Sequence, residues 1–175
     1  MALTKLNYTG QGVVPVAKIP TITGAVTLPH FLLNQTSAQT LNNATSDIAT
    51  LDEARHDTHS FADLSNNRAV FTASTAGTYH LTWGAKINDS GGAIARWLIF
   101  ITKYDSDDNG DDIMYPEITI AVDDSYTFPT FNAMWTFVAG DYIKLRIYQN
   151  SGGSRNTMVG SGDINSFISG LRIGD

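Results

Sequence analysis

The densest run of oxygen ligands in the chain is Asp105-Ser106-Asp107-Asp108-Asn109-Gly110-Asp111-Asp112. It follows the Asp-x-Asp-x-Asn-Gly opening of a calcium loop, with ligands at alternate positions and a glycine for the bend. The candidate ligands are Asp105, Asp107, Asn109 and Asp111. An EF-hand needs a bidentate Glu at the twelfth position, which here is Pro116, and Glu117 comes one residue late. The preceding residues 99–104 read as a strand, not a helix, so an EF-hand is excluded. Two readings stay open: a loop that takes calcium to relieve its own carboxylate repulsion, and an acidic turn in water.

Other reactive residues are scattered. His56 and His59 have H-x-x-H spacing. On a strand, residues three apart face opposite sides, so only a helix would let this pair share a metal. They read as loop or interface histidines. His80 falls on the polar side of its strand, and His30 in the N-terminal arm. Gly160-Ser161-Gly162 lacks the strand-turn-helix context of a nucleophile elbow. Glu53 and Glu117 are the two glutamates, and neither sits in an apolar run that would raise its pKa. No phosphate-binding or dinucleotide fingerprint occurs. The chain is therefore expected not to be an enzyme. Tyr126, Phe128, Phe131 and Trp135 flank Pro129 and form a candidate binding surface, a sugar platform or a hot spot. The alternative is that they plug a sandwich end or a subunit interface.

Composition narrows the partners. The chain has 175 residues, 18 aromatics among 42% apolar residues, 16% charged residues and a net charge of -6. A core is affordable, and nucleic acid, whose binding rests on neutralising phosphates, is not an expected partner. The absence of cysteine removes disulfides, thiolate zinc sites and thiol nucleophiles. The residues after Met1 turn polar with no apolar h-region, so no secretory signal is expected. The apolar stretch 13–33 is broken by Pro15, Pro20, Pro29 and Lys18, which excludes a membrane-spanning helix.

The elements that must hold these residues read as strands. Residues 1–30 carry three of the five prolines and read as an extended arm. From Phe31 onward, period-two alternation dominates, most cleanly in residues 79–87 and 143–149. Residues 94–104, 118–122 and 167–173 are further strands. Ala139-Gly140-Asp141 reads as a hairpin connection between residues 134–138 and Tyr142. Residues 45–55 fit a helix, with Thr50 and Glu53 at capping-box spacing, and fit an irregular strand equally well. Many short strands between turn clusters mean an antiparallel sandwich or barrel.

Three segments together resemble C1q/TNF-like domains. Val70-Phe71-Thr72-Ala73-Ser74-Thr75-Ala76-Gly77-Thr78-Tyr79 is similar to that family's F-T-A-P-x-x-G-x-Y strand start. Phe137-Val138-Ala139-Gly140-Asp141-Tyr142-Ile143-Lys144-Leu145 resembles its L-x-x-G-D-x-V-x-L hairpin. Asn165-Ser166-Phe167-Ile168-Ser169-Gly170-Leu171-Arg172-Ile173 resembles its closing S-x-F-S-G-x-L-L strand. Arg55-His56-Asp57-Thr58-His59 sits where many members have an Asp-Thr pair. The resemblance implies an all-β jelly-roll sandwich over residues 31–175, assembled as a homotrimer. The chain departs from vertebrate C1q proteins in lacking a collagen-like stalk and a secretion signal. Cysteine-free, Asn/Thr-rich domains of this kind look similar to those carried by bacteriophage virion proteins. The resemblance then implies a non-enzymatic virion-surface protein, made in the host cytoplasm. A head-decoration (cement) protein is the first reading, its arm gripping the major capsid protein. A receptor-binding tail-fibre tip, its arm joined to a tail component, is the second. A carbohydrate-binding module, with a host surface glycan as partner, is the third.

Overall fold

The computed structural model describes residues 27–88, 95–114, 117–120, 126–157, 159–160 and 162–175. The chain runs through β1 (His30–Asn34), β2 (Thr40–Leu41), β3 (Thr45–Ile48), β4 (Glu53–Asp57), β5 (Ala62–Asp63) and β6 (Arg68–Val70). It continues through β7 (Gly77–Gly84), β8 (Ile87–Asn88), β9 (Ala95–Tyr104), β10 (Gly110–Met114) and β11 (Glu117–Ile120). It ends with β12 (Tyr126–Thr127), β13 (Thr130–Phe137), β14 (Tyr142–Gln149), β15 (Arg155–Asn156) and β16 (Phe167–Gly174). A single 3-10 turn, Leu64–Asn66, is the only helical element among the described residues. Residues 45–55 take the strand alternative, as β3 and the start of β4. Glu53 does not cap a helix; its carboxylate accepts from the Asn34 side chain at 2.8 Å.

Two antiparallel sheets face each other. One has five strands in the order β13-β7-β16-β1-β4; the other has the path β10-β9-β14-β6-β5, with β11 on β9 and β3 on β14. Alternation explains the layering, because successive side chains point to opposite faces. Tyr79, Leu81 and Trp83 of β7 and Ile143, Leu145 and Ile147 of β14 are fully buried between the sheets. An aromatic cluster fills one end: Phe71 stacks on Phe137 at 3.9 Å, and Phe31, Phe61 and Tyr79 meet it at tilted or edge-on angles. One indole of this core is satisfied across the layers. The Trp83 indole N–H donates to the Ile99 carbonyl at 2.9 Å, which ties one sheet to the other.

The connection at residues 139–141 is not a hairpin. It joins β13 of the five-stranded sheet to β14 of the other, so the chain turns a corner between layers. Gly140 takes a positive φ of 95° there, which glycine adopts at little cost. Asp141, 2% exposed, holds the corner: it accepts from the Val138 amide at 2.8 Å and pairs with Lys103 at 3.2 Å. A Gly-Asp turn between alternating runs looks the same in either topology, so local sequence did not separate them.

Residues 1–26 of the expected arm lie outside the described residues. The sandwich begins slightly earlier than residue 31: Pro29 is buried, its carbonyl accepts from the Arg172 amide at 2.9 Å, and His30 opens β1. Gly170 is needed in the last strand, because a Cβ there would stand 2.5 Å and 2.7 Å from carbons of the buried Phe31 ring.

Candidate functional site

The outer face of the five-stranded sheet is the site this fold builds. Register places residues distant in sequence side by side. Met134, His80, Leu171 and His30 form one row across β13, β7, β16 and β1. Asn132, Thr82, Ser169, Leu32 and His56 form the next row, which reaches β4. Neither row contains Lys, Arg, Asp or Glu. Met134 is 68% exposed and Leu171 44%, and Ile173 is exposed near the end of β16. Single exposed apolar side chains are ordinary, but here they alternate with histidines and small polar side chains over a sheet face that carries no ionised Lys, Arg, Asp or Glu in these rows.

A shallow depression of about 400 Å³ lies within this face, lined by His30, Phe31, Leu32, His56, Ser169, Gly170 and Leu171. The His30 and His56 rings stand 6.3 Å apart there. His30 is thus neither in the arm nor alone. His30 Nδ1–H donates to the Leu28 carbonyl at 2.9 Å. Ionised side chains begin only at the margin. Past Leu32, Asn34 is followed by Glu53, which binds Arg55 at 2.9 Å. The Asn34 side-chain N–H first, and then Arg55, hold the Glu53 carboxyl below the usual carboxylate range.

The other sheet turns a different surface outward. Tyr104 stacks on Tyr142 at 4.8 Å. Lys144 lies 5.7 Å and 5.6 Å from these two rings, Arg68 4.5 Å from Tyr142, Arg146 5.9 Å from Phe100 and Arg96 5.9 Å from Tyr148. The guanidinium and ammonium groups cover the aromatic faces and carry the water-facing charge themselves. Burial, and then the hydrogen bond to Asp108, push the Tyr142 phenol up to about 12.

The candidate residues from the sequence are placed as follows. Asp105 closes the acidic turn, accepting from the amides of Asp107 and Asn109 at 2.9 Å each and from the Asn109 side chain. The Asn109 side chain is the chief reason that Asp105 is held below the usual carboxylate range. Asp107 is exposed in the turn, and Asp111 lies on β10 opposite Lys103. The structure brings Asp105 and Asn109 together and leaves Asp111 on the strand. Among the described residues, no three His, Asp or Glu side chains are grouped to hold a metal ion. Phe128, Phe131 and Trp135 do not share a platform. Phe131 and Trp135 are half-buried and pack against the core, with Phe131 6.1 Å from Trp83. Phe128 is 37% exposed and meets Phe167 edge-on at 6.0 Å. Tyr126 lies on β12, and its side chain is outside the described residues.

Known proteins of this shape exist. No protein-family model matches the chain, and no curated protein does. Among solved structures, the globular domain of zebrafish complement 1qA protein superposes with a TM-score of 0.56 at 13% identity, over 83% of this chain and 97% of that one. Murine APRIL at pH 5.0 gives a TM-score of 0.61 at 10% identity, over 84% and 100%. Eiger TNF from S. frugiperda gives 0.57 at 14% identity, over 84% and 92%. The fold is a C1q/TNF-like jelly roll. That sandwich includes the segments around Phe71, Asp141 and Gly170 that carried the likeness in sequence.

Proposed function

We propose that this chain is a non-enzymatic assembly module, a homotrimer that sits on the surface of a bacteriophage virion as a head-decoration protein. The carrying observation is the uncharged, partly apolar outer face of the five-stranded sheet. Three chains of net charge -6 repel one another, and they meet at least cost where neither side presents a charge. Burying Met134, Leu171 and Leu32 against neighbours supplies the drive. The cation-covered sheet and the acidic turn then stay on the outside of the trimer. The virion role is supported by the cysteine-free, Asn- and Thr-rich composition on this fold. Residues 1–26, ahead of the sandwich, serve as the arm that grips the major capsid protein.

Copy number tests the role. Decoration requires several hundred copies per particle, measured by quantitative mass spectrometry of purified virions, and loss of particle binding when residues 1–26 are deleted. A handful of copies per particle, with purified protein that blocks adsorption to host cells, would replace this reading with a receptor-binding fibre tip. A glycan platform is not part of the proposal, because Phe131 and Trp135 turn toward the core.

A further inference from the structure

We propose that assembly through the five-stranded sheet is controlled by protons. His30, His56 and His80 stay neutral while the faces are apposed and drive the chains apart when they charge. This rests on the self-assembly reading above and extends it.

Three of the four histidines in the chain lie on this one face. His80 stands between Met134 and Leu171 in its row. His30 follows Leu171, and His56 is opposite Leu32. No carboxylate in either row can neutralise an imidazolium. The charged groups around the rows already have partners. Arg55 pairs with Glu53 at 2.9 Å. The Asp57 carboxylate accepts from the Phe61 and Ala62 amides at 2.8 Å and 2.9 Å. Arg172 pairs with Asp175. His59 lies beyond β4, with Nδ1 2.8 Å from the Thr58 hydroxyl. β13 and β16 contribute Asn132, Met134, Ser169 and Leu171 to the rows, none of them ionisable.

In the separated chain, His56 and His80 are exposed and His30 half-exposed, so water solvates a charge on any of them. Apposition removes that water and supplies no counter-charge, which disfavours the protonated form. The 6.3 Å between the His30 and His56 rings adds repulsion between two like charges. Protons therefore bind the separated chains more strongly than the assembly, and acid favours separation. Imidazole gains its proton between about pH 7 and 5.5. Each histidine that charges on separation raises the dissociation constant by up to about tenfold per pH unit. The occupant is a second copy, because a chain of net charge -6 meets its own kind most cheaply on a face without charge.

Light scattering of the full chain at fixed concentration from pH 8 to pH 5.5 tests this. The expected mass is that of three chains of 19.0 kDa at pH 8, falling to that of one at pH 5.5. A triple His30→Gln, His56→Gln, His80→Gln variant is expected to stay assembled at both. If that variant fails to fold, the exposed single change His80→Gln must shift dissociation to lower pH than in the unchanged chain. A three-chain mass at both pH values overturns proton control and leaves self-assembly standing. A one-chain mass at pH 8 overturns self-assembly itself, as when residues 1–26 cover the face in place of a second copy. Acid dissociation that persists in the histidine variants overturns the assignment to these residues.

Discussion

On the seven-stranded sheet, Phe100, Tyr104, Tyr142 and Tyr148 face outward beneath Arg146, Lys144, Arg68 and Arg96. On the five-stranded sheet, Leu32, Met134 and Leu171 face outward among histidines and small polar side chains. Both faces are rich in apolar atoms, but the cover differs. A side chain that carries its own charge over an aromatic ring completes its surface within one chain. A leucine or methionine beside an imidazole does not, and it gains only when another chain removes the water. The contrast separates a surface covered by its own chain from the one proposed to take a partner.

The largest effect expected from breaking this contrast is on assembly. Leu171→Glu places a carboxylate at the centre of the uncharged face, and light scattering at pH 8 is expected to show one-chain mass with the fold intact by circular dichroism. Next is Gly170→Ala, which acts on the sheet beneath the face. Its Cβ meets the Phe31 ring at 2.5 Å, and Phe31 is buried, so a loss of roughly 1–3 kcal/mol is expected by urea titration. Lys144→Ala probes the covered face. It uncovers two tyrosine rings, costs about 1 kcal/mol and leaves the mass unchanged.

Smaller effects come from groups near the seven-stranded sheet. Asn66, Ser65 and Arg68 hold the Asp63 carboxyl down to about 2. A depressed carboxyl adds stability that is present above the unfolded value near 4 and lost as pH falls toward 2. Asp63→Asn is therefore expected to flatten the acid limb of the stability profile between those values and to leave the profile from pH 8 to 5.5 unchanged. The smallest effect is expected from calcium. The acidic turn is closed by Asp105 with its own amides, so the melting temperature is expected to be the same in calcium and in chelator. A calcium-dependent rise would show the turn to be an ion site.

Much of the sandwich was legible because burial on one face imposes period two. Residues 79–87 and 143–149 showed it, and β7 and β14 carry their apolar members at or near zero exposure. The close approach at Gly170 was legible for the same reason: a glycine inside an apolar strand marks a neighbour that fills its space. The corner at Gly140 was not, because a turn's residues report its backbone shape and not the sheet of the next strand. The face proposed for assembly was hidden more deeply. Met134, His80, Leu171 and His30 are neighbours only through three strand registers. In sequence His80 was one polar residue in an alternation, and His30 fell beside a proline in what read as an arm. The aromatic segment left two readings open by composition, and Phe131 and Trp135, which alternate with Asn132 and Met134, take the one that packs toward the core.

The central claim is that the uncharged face joins three copies, and the mass of the full chain in solution at pH 8 tests it most directly. The account predicts 57.0 kDa, three chains of 19.0 kDa. A mass of 19.0 kDa across the micromolar range would contradict it.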